Sequence, residues 1–140
     1  MSAYVLLVSH GRFAEGLHDT LGMFAGNCGG VMSIGLREGE SVERFRQRVQ
    51  ELLGWLGTSD ELLVLADLIG GSPLTTVLDV LQEKELLAHT VVLGGMNLAM
   101  ALNAVLCKDQ GIPAMKKTIL QEALASISEA TLESEEEEDI

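Results

Sequence analysis

Cysteine and basic charge are both scarce in this chain of 140 residues, and each scarcity excludes something different. Only Cys28 and Cys107 occur, far apart and with no paired-cysteine motif near either, so neither a disulfide framework nor a zinc site is supported. Both read as small buried hydrophobes. Nine Lys and Arg stand against 21 Asp and Glu, a formal net charge of −12, which argues against nucleic acid because phosphate backbones are bound by clustered basic residues. Much of the acidity is local, since Glu133 to Asp139 is almost entirely acidic and reads as a solvated tail. No apolar run approaches the roughly 20 residues that span a bilayer, and the first residues lack the basic region and cleavage site of a signal peptide. A cytoplasmic protein is expected. Nucleotide binding is not, because Gly-x-x-x-x-Gly-Lys-Ser/Thr is missing and so is Gly-x-Gly-x-x-Gly after the first strand.

What the chain does have is 47% hydrophobic residues, enough for one domain with a real core, arranged in a repeating strand-loop-helix pattern. The organising stretch is Tyr4-Val5-Leu6-Leu7-Val8-Ser9-His10-Gly11-Arg12. An apolar run ends abruptly in polar residues there, as a buried parallel strand does when it hands over to a loop and a helix. Phe13, Leu17, Leu21 and Phe24 then recur at helical spacing, and Gly26, Asn27, Gly29 and Gly30 turn the chain toward a second strand at Val31 to Ile34. Ser41 suits the N-cap of a second helix with the stripe Val42, Phe45, Val49, Leu52, Leu53 and Leu56, closed by Gly57.

Leu62 to Ala66 is apolar without alternation, as expected of a central parallel strand, and it ends at Asp67. Ser72 suits the N-cap and Pro73 the first position of a third helix running to about Gln82. Thr90 to Leu93 is a fourth strand ending in Gly94-Gly95. Met96-Asn97 leads into an apolar helix through Leu106, and Ile112-Pro113 opens a fifth helix. Leu124 to Leu132 reads two ways, as a prolonged fifth helix or with Ile127 to Leu132 leaving as a short extended arm. The expected fold is α/β, a doubly wound, mainly parallel four-stranded sheet with helices on both faces.

In a sheet ordered 2-1-3-4 the connections from strands 1 and 3 leave on opposite faces and open a crevice at their carboxyl ends. That brings His10 and Asp67 together. A carboxylate bonded to Nδ1–H fixes the neutral tautomer, leaves the Nε2 lone pair free and stabilises positive charge on the ring. Gly70-Gly71-Ser72-Pro73 supplies a close backbone approach and the free N–H groups of a helix start, which favour an anion. The combination suits acceptance of a phosphoryl group on nitrogen, and neither a metal nor a cofactor is needed for it.

Strand-Ser-His-Gly near the N-terminus, Asp-Leu-Ile-Gly-Gly-Ser-Pro after strand 3 and Gly-Gly-Met-Asn-Leu after strand 4 resemble the IIA component of mannose-family sugar phosphotransferase systems. The resemblance covers nearly the whole chain to about Leu124. It implies a phosphohistidine carrier, in which His10 takes a phosphoryl group from HPr and passes it to a IIB component serving a membrane IIC/IID permease. It also implies that Asp67 orients His10, that Ser72 with Gly70, Gly71 and Gly11 contacts the phosphoryl group, and that IIB is a separate polypeptide. Association with the membrane would be transient, through the permease complex. A homodimer, in which an exchanged C-terminal strand is common, follows from the same likeness. Residues 1–130 would form the IIA domain and 131–140 an acidic tail.

Two other roles remain open for such a protein: a phosphoryl-donor subunit for dihydroxyacetone kinase, and a regulatory module whose phosphorylation reports carbohydrate supply. Ser9, Arg12 and Asn97 are accessory candidates, although an arginine at a helix start is ordinarily a surface residue and Asn97 suits an N-cap. His18 reads as a surface histidine, and His89 falls at the opposite edge of the sheet from His10. A Ser72-His10-Asp67 hydrolase is disfavoured because Ser72 lies in a helix cap and not in a Gly-x-Ser-x-Gly elbow.

Overall fold

A computed structural model describes residues 2–26 and 29–132. Strands β1 (Ala3–His10), β2 (Val31–Leu36), β3 (Glu61–Ala66) and β4 (Thr90–Gly94) alternate with helices α1 (Phe13–Ala25), α2 (Val42–Leu53), α3 (Ser72–Glu83), α4 (Leu98–Cys107) and α5 (Ile112–Ala125). The sheet is wholly parallel and ordered β2-β1-β3-β4, as expected. Asn27, Cys28 and the acidic run from Glu133 lie outside the described residues.

The central strands are covered on both faces, which is why their sequences show no polar alternation. Val5, Leu7, Leu63 and Leu65 face α1, α4 and α5, where they meet Leu21, Met100, Ala104 and Ile119. Leu6, Val8, Leu62 and Val64 face α2 and α3, where they meet Phe45, Val49, Val77 and Leu81. Each fully buried Leu or Val is worth about 1.5–3 kcal/mol relative to exposure. Truncating a central one such as Leu65 to Ala would cost about 2–5 kcal/mol, because a strand walled by helices cannot collapse into the hole.

Several helix ends follow from their caps. Ser41 Oγ accepts from Arg44 N at 3.1 Å to start α2, and Asn97 Oδ1 accepts from Met100 N at 2.8 Å to start α4. Glu61 Oε1 accepts from Ile112 N at 3.2 Å, which ties the start of α5 to β3.

Four local expectations are corrected. The buried stripe of α1 is Ala14, Leu17 and Leu21, whereas Phe13 and Phe24 are exposed, since a stripe drawn through them is wider than the seam against the sheet. Helix α2 stops at Leu53, and Leu56 is buried from the turn that follows instead of from the helix. Gly71, not Ser72, is the N-cap of α3, so the helix begins with Ser72 itself and Pro73 sits one position further in. His18 is half-buried, with Nδ1 2.8 Å from Ser33 Oγ, and links α1 to the edge strand β2. Of the two readings of the C-terminal region, the second holds in part: α5 ends at Ala125, and residues 127–131 form neither helix nor strand.

Candidate functional site

Strand β1 ends at His10, beside the end of β3, and Asp67 is the first residue past β3. Asp67 N–H donates to Val8 O at 3.0 Å, so the ladder holds the aspartate at the end of β1 before its side chain makes any contact. The carboxylate then receives two bonds from one residue: Oδ2 lies 2.9 Å from His10 N and 2.9 Å from His10 Nδ1. Oδ1 accepts from Leu68 N at 2.8 Å. Partial burial raises the Asp67 carboxyl, but the bonds from the His10 backbone, the His10 ring and Leu68 N outweigh it and hold the group below its ordinary value.

Asp67 is therefore ionised at neutral pH and can only accept hydrogen bonds. It follows that Nδ1 is the donor in this pair, so that in the neutral ring the lone pair lies on Nε2. The Asp67 side chain is 15% exposed and that of His10 47%, so the orienting group is sheltered while the ring it orients faces solvent.

Gly71 sets where that ring can lie. A Cβ at this position would come within 2.7 Å of His10 Cε1 and 3.2 Å of Nε2, so the Nε2 side of the ring rests against bare backbone. The preceding Gly70 has φ 91°, a conformation that lets the loop turn sharply into α3. At the start of α3, Ser72 N–H and Leu74 N–H have no carbonyl one turn back to bond, and Pro73 carries no N–H. These donors and the exposed Ser72 hydroxyl stand at the positive end of the helix dipole, directly after the glycine that faces the His10 ring.

The remaining candidates divide. Gly11 adopts φ 58° and donates its N–H to Leu36 O at 2.7 Å, so that N–H is already taken and cannot serve an anion. Ser9 is fully buried, and its Oγ accepts from Ala14 N at 2.7 Å, fastening the start of α1 to the end of β1. Arg12 is exposed at the head of α1 and lines an open groove of about 450 Å³ with Glu15, Gly16 and Arg37. Asn97 has both ends of its amide engaged, Oδ1 by Met100 N and Nδ2 by Ser126 Oγ, at the end of β4 two strands from β1. The structure thus brings His10, Asp67 and Gly71 together, with Ser72 the next residue along.

Sequence reasoning missed the rim of the site. Leu68 is 60% exposed and Ile69 75%, two large apolar side chains on the loop that follows Asp67, and Phe13, the first residue of α1, is 51% exposed. Ile69 lies over Gly94, where a Cβ would overlap its side chain. The available signal was Leu68-Ile69 standing immediately after a strand has ended, where burial in the sheet is no longer on offer. Among the described residues no group of three His, Cys, Asp or Glu could hold a metal ion. None of the helices there is long and apolar enough to cross a membrane.

Comparison with known proteins points to one family. The family model EIIA-man, described as PTS system fructose IIA component, matches residues 4–130. The mannose-specific EIIAB component of Escherichia coli K12 is 29% identical over 109 residues, 78% of this chain and 33% of that protein, so the chain spans about a third of that relative. The fructose-specific EIIA component of Bacillus subtilis is 23% identical over 101 residues, 72% of this chain and 67% of that protein. Among solved structures, the IIA protein associated with the fucose utilization operon of Streptococcus pneumoniae has a TM-score of 0.78 at 29% identity, covering 92% of this chain and 93% of that one. The mannose/sorbose specific IIA subunit of Enterococcus faecalis superposes with a TM-score of 0.81 at 23% identity, covering 96% and 98%, a likeness of fold.

Proposed function

The chain belongs to the mannose-type IIA family of the phosphotransferase system, and on that premise we propose that it is a cytoplasmic phosphohistidine carrier in sugar uptake. His10 accepts the phosphoryl group from HPr and hands it to a IIB component. The observation that carries this reading is the single Asp67 oxygen bonded to both the backbone N–H and the ring Nδ1 of His10, with Nε2 turned to bare glycine backbone.

In the first half-reaction the Nε2 lone pair attacks phosphorus while the donor's N–P bond breaks, and the donor imidazole keeps that electron pair. No proton has to move on this side, because Nδ1–H stays hydrogen-bonded to Asp67 throughout. The ring becomes a cation as the new N–P bond forms, and the ionised carboxylate 2.9 Å away stabilises it. Three equatorial oxygens carry the charge of a loose transition state, and the unpaired N–H groups at the start of α3 with the Ser72 hydroxyl are the donors placed to meet them. Transfer to IIB is the same exchange run outward.

A carrier must admit two protein partners in turn, and the exposed imidazole together with exposed Phe13, Leu68 and Ile69, close in sequence to His10 and Asp67, supports that use. We also read the protein as a homodimer, with residues 1–130 as its IIA domain. Leu120, Leu124, Ile127 and Leu132 are exposed on and beyond α5, and β4 is an edge of the sheet, both features that a second copy could cover.

Incubation with labelled phosphoenolpyruvate, enzyme I and HPr tests the carrier reading. Wild type is expected to take up an acid-labile label that His10→Ala lacks and that a cognate IIB removes. Failure of wild type to take label from donors that phosphorylate another IIA protein would overturn it.

A further inference from the structure

We propose that Arg48 and Glu40 are positioning residues for His10, acting by clamping the end of β2 on which the turn after His10 rests. The inference rests on the reading of His10 as the phosphoryl acceptor.

One ion pair gathers an unusual number of bonds at this point. Arg48 Nε donates to Glu40 Oε2 and Nη2 to Glu40 Oε1, both at 2.8 Å, the parallel fork that a guanidinium makes and an ammonium cannot. The same Nη2 donates to Gly35 O at 2.6 Å. Glu40 Oε1 also accepts from Arg37 N at 3.0 Å, which closes the turn between β2 and α2. The Glu40 side chain is only 6% exposed, and Arg48 lies over the Phe45 ring, 5.5 Å from its centroid. The Arg48 bond holds the Glu40 carboxyl down at about 2 against the opposing effect of burial. A sheltered ion pair is a poor way to gain stability, because desolvation offsets most of the attraction. What it does supply is a fixed geometry.

That geometry leads to His10 in two steps. Gly35 stands opposite Ser9 and Leu36 opposite His10 in the β1–β2 register. Leu36 O takes the Gly11 N–H at 2.7 Å, and Gly35 lies so close beneath Gly11 O that a Cβ would overlap it. Strand β2 is an edge strand, so nothing in the sheet holds it from the far side, and Arg48 grips its outward carbonyl from α2. If the end of β2 moves out, Gly11 loses its acceptor, and His10 shifts against an Asp67 oxygen that both its N–H and its ring must reach. A displacement of about 1 Å in a reacting group can cost 10²-fold in rate.

The test compares Arg48→Met, Arg48→Lys and Glu40→Gln with Arg46→Met as control, since Arg46 pairs with Asp79 and Glu83 on the exterior between α2 and α3. Phosphorylation by HPr is measured as kcat and KM, and Gly11 amide exchange is followed by NMR. Arg48→Met is expected to lower kcat about tenfold or more with KM for HPr unchanged, and to speed Gly11 exchange. Arg48→Lys recovers part of the rate, Glu40→Gln behaves like Arg48→Met, and Arg46→Met matches wild type. A lowered melting temperature with wild-type kcat and wild-type Gly11 exchange overturns the proposal. If wild type accepts no phosphoryl group at all, the carrier reading falls, and Gly11 exchange with the His10 ring shifts in the same variants still decides the clamp.

Discussion

His10 is held from two sides that are built from different materials. On the β3 side stand a carboxylate that bonds the ring, a glycine that faces it and the open end of the helix that follows. On the β2 side stand backbone, a second glycine contact and an ion pair, none of which touches the ring. One side can change the electronic state of the imidazole; the other can only change where it is. Substitutions on the first side should therefore alter the chemistry directly, and those on the second should act through distance and geometry.

The sharpest way to break this contrast is Asp67→Asn. The amide cannot stabilise a ring cation as a carboxylate does, so phosphorylation should slow by about 10²-fold or more with the fold retained, as for other histidine-orienting carboxylates. Equal rates for variant and wild type, measured by quenched-flow labelling, would remove Asp67 from the mechanism. Gly71→Ala comes next. Its methyl would stand 2.7 Å from His10 Cε1, so the ring must tilt, and a loss of about tenfold in kcat is expected with little change in melting temperature. Ser72→Ala removes one exposed hydroxyl donor, worth about 1 kcal/mol, or roughly fivefold in rate.

The β2 side answers to acid. Glu40 is held near 2 in the fold against 4.5 for a free glutamate, chiefly by its bond from Arg48. A depressed carboxylate stabilises fully above its unfolded value and loses that contribution as pH falls toward its folded one. The clamp's share should therefore vanish between about pH 4.5 and 2, and Glu40→Gln should flatten the melting-temperature profile over that window. Asp67 has the same sign, its window lying below 3.8. The smallest effect belongs to His18, whose Nδ1 meets a serine hydroxyl and no carboxylate. His18→Gln should phosphorylate at the wild-type rate, and a measurable loss would mean that the ring at position 10 is not the acceptor acting alone.

Much of the β3 side was legible in the sequence, because its parts are local. An apolar run ending in Asp, then Gly-Gly-Ser-Pro, states strand, carboxylate, tight loop and helix start within a dozen residues, and the alternating pattern sets β3 beside β1. The β2 side was not legible. Glu40 and Arg48 are eight positions apart across a turn and a helix cap, and nothing in their spacing says that they fork together or that Gly35 O lies within reach. Gly11 illustrates the same limit: the family resemblance implies a phosphoryl contact there, but its N–H is consumed by a strand partner 25 residues away. The exposed Leu68, Ile69 and Phe13 were hidden for a different reason, since composition reads an apolar side chain as core until the chain has been folded around it.

The most direct test of the account is the position of phosphorus on the protein. Wild type labelled with ¹⁵N in histidine, phosphorylated through HPr and examined by ³¹P and ¹⁵N NMR, should carry one phosphate on Nε2 of His10, with Nδ1 still protonated. Phosphate on Nδ1, or on a residue other than His10, would contradict the role assigned to Asp67 and with it the mechanism.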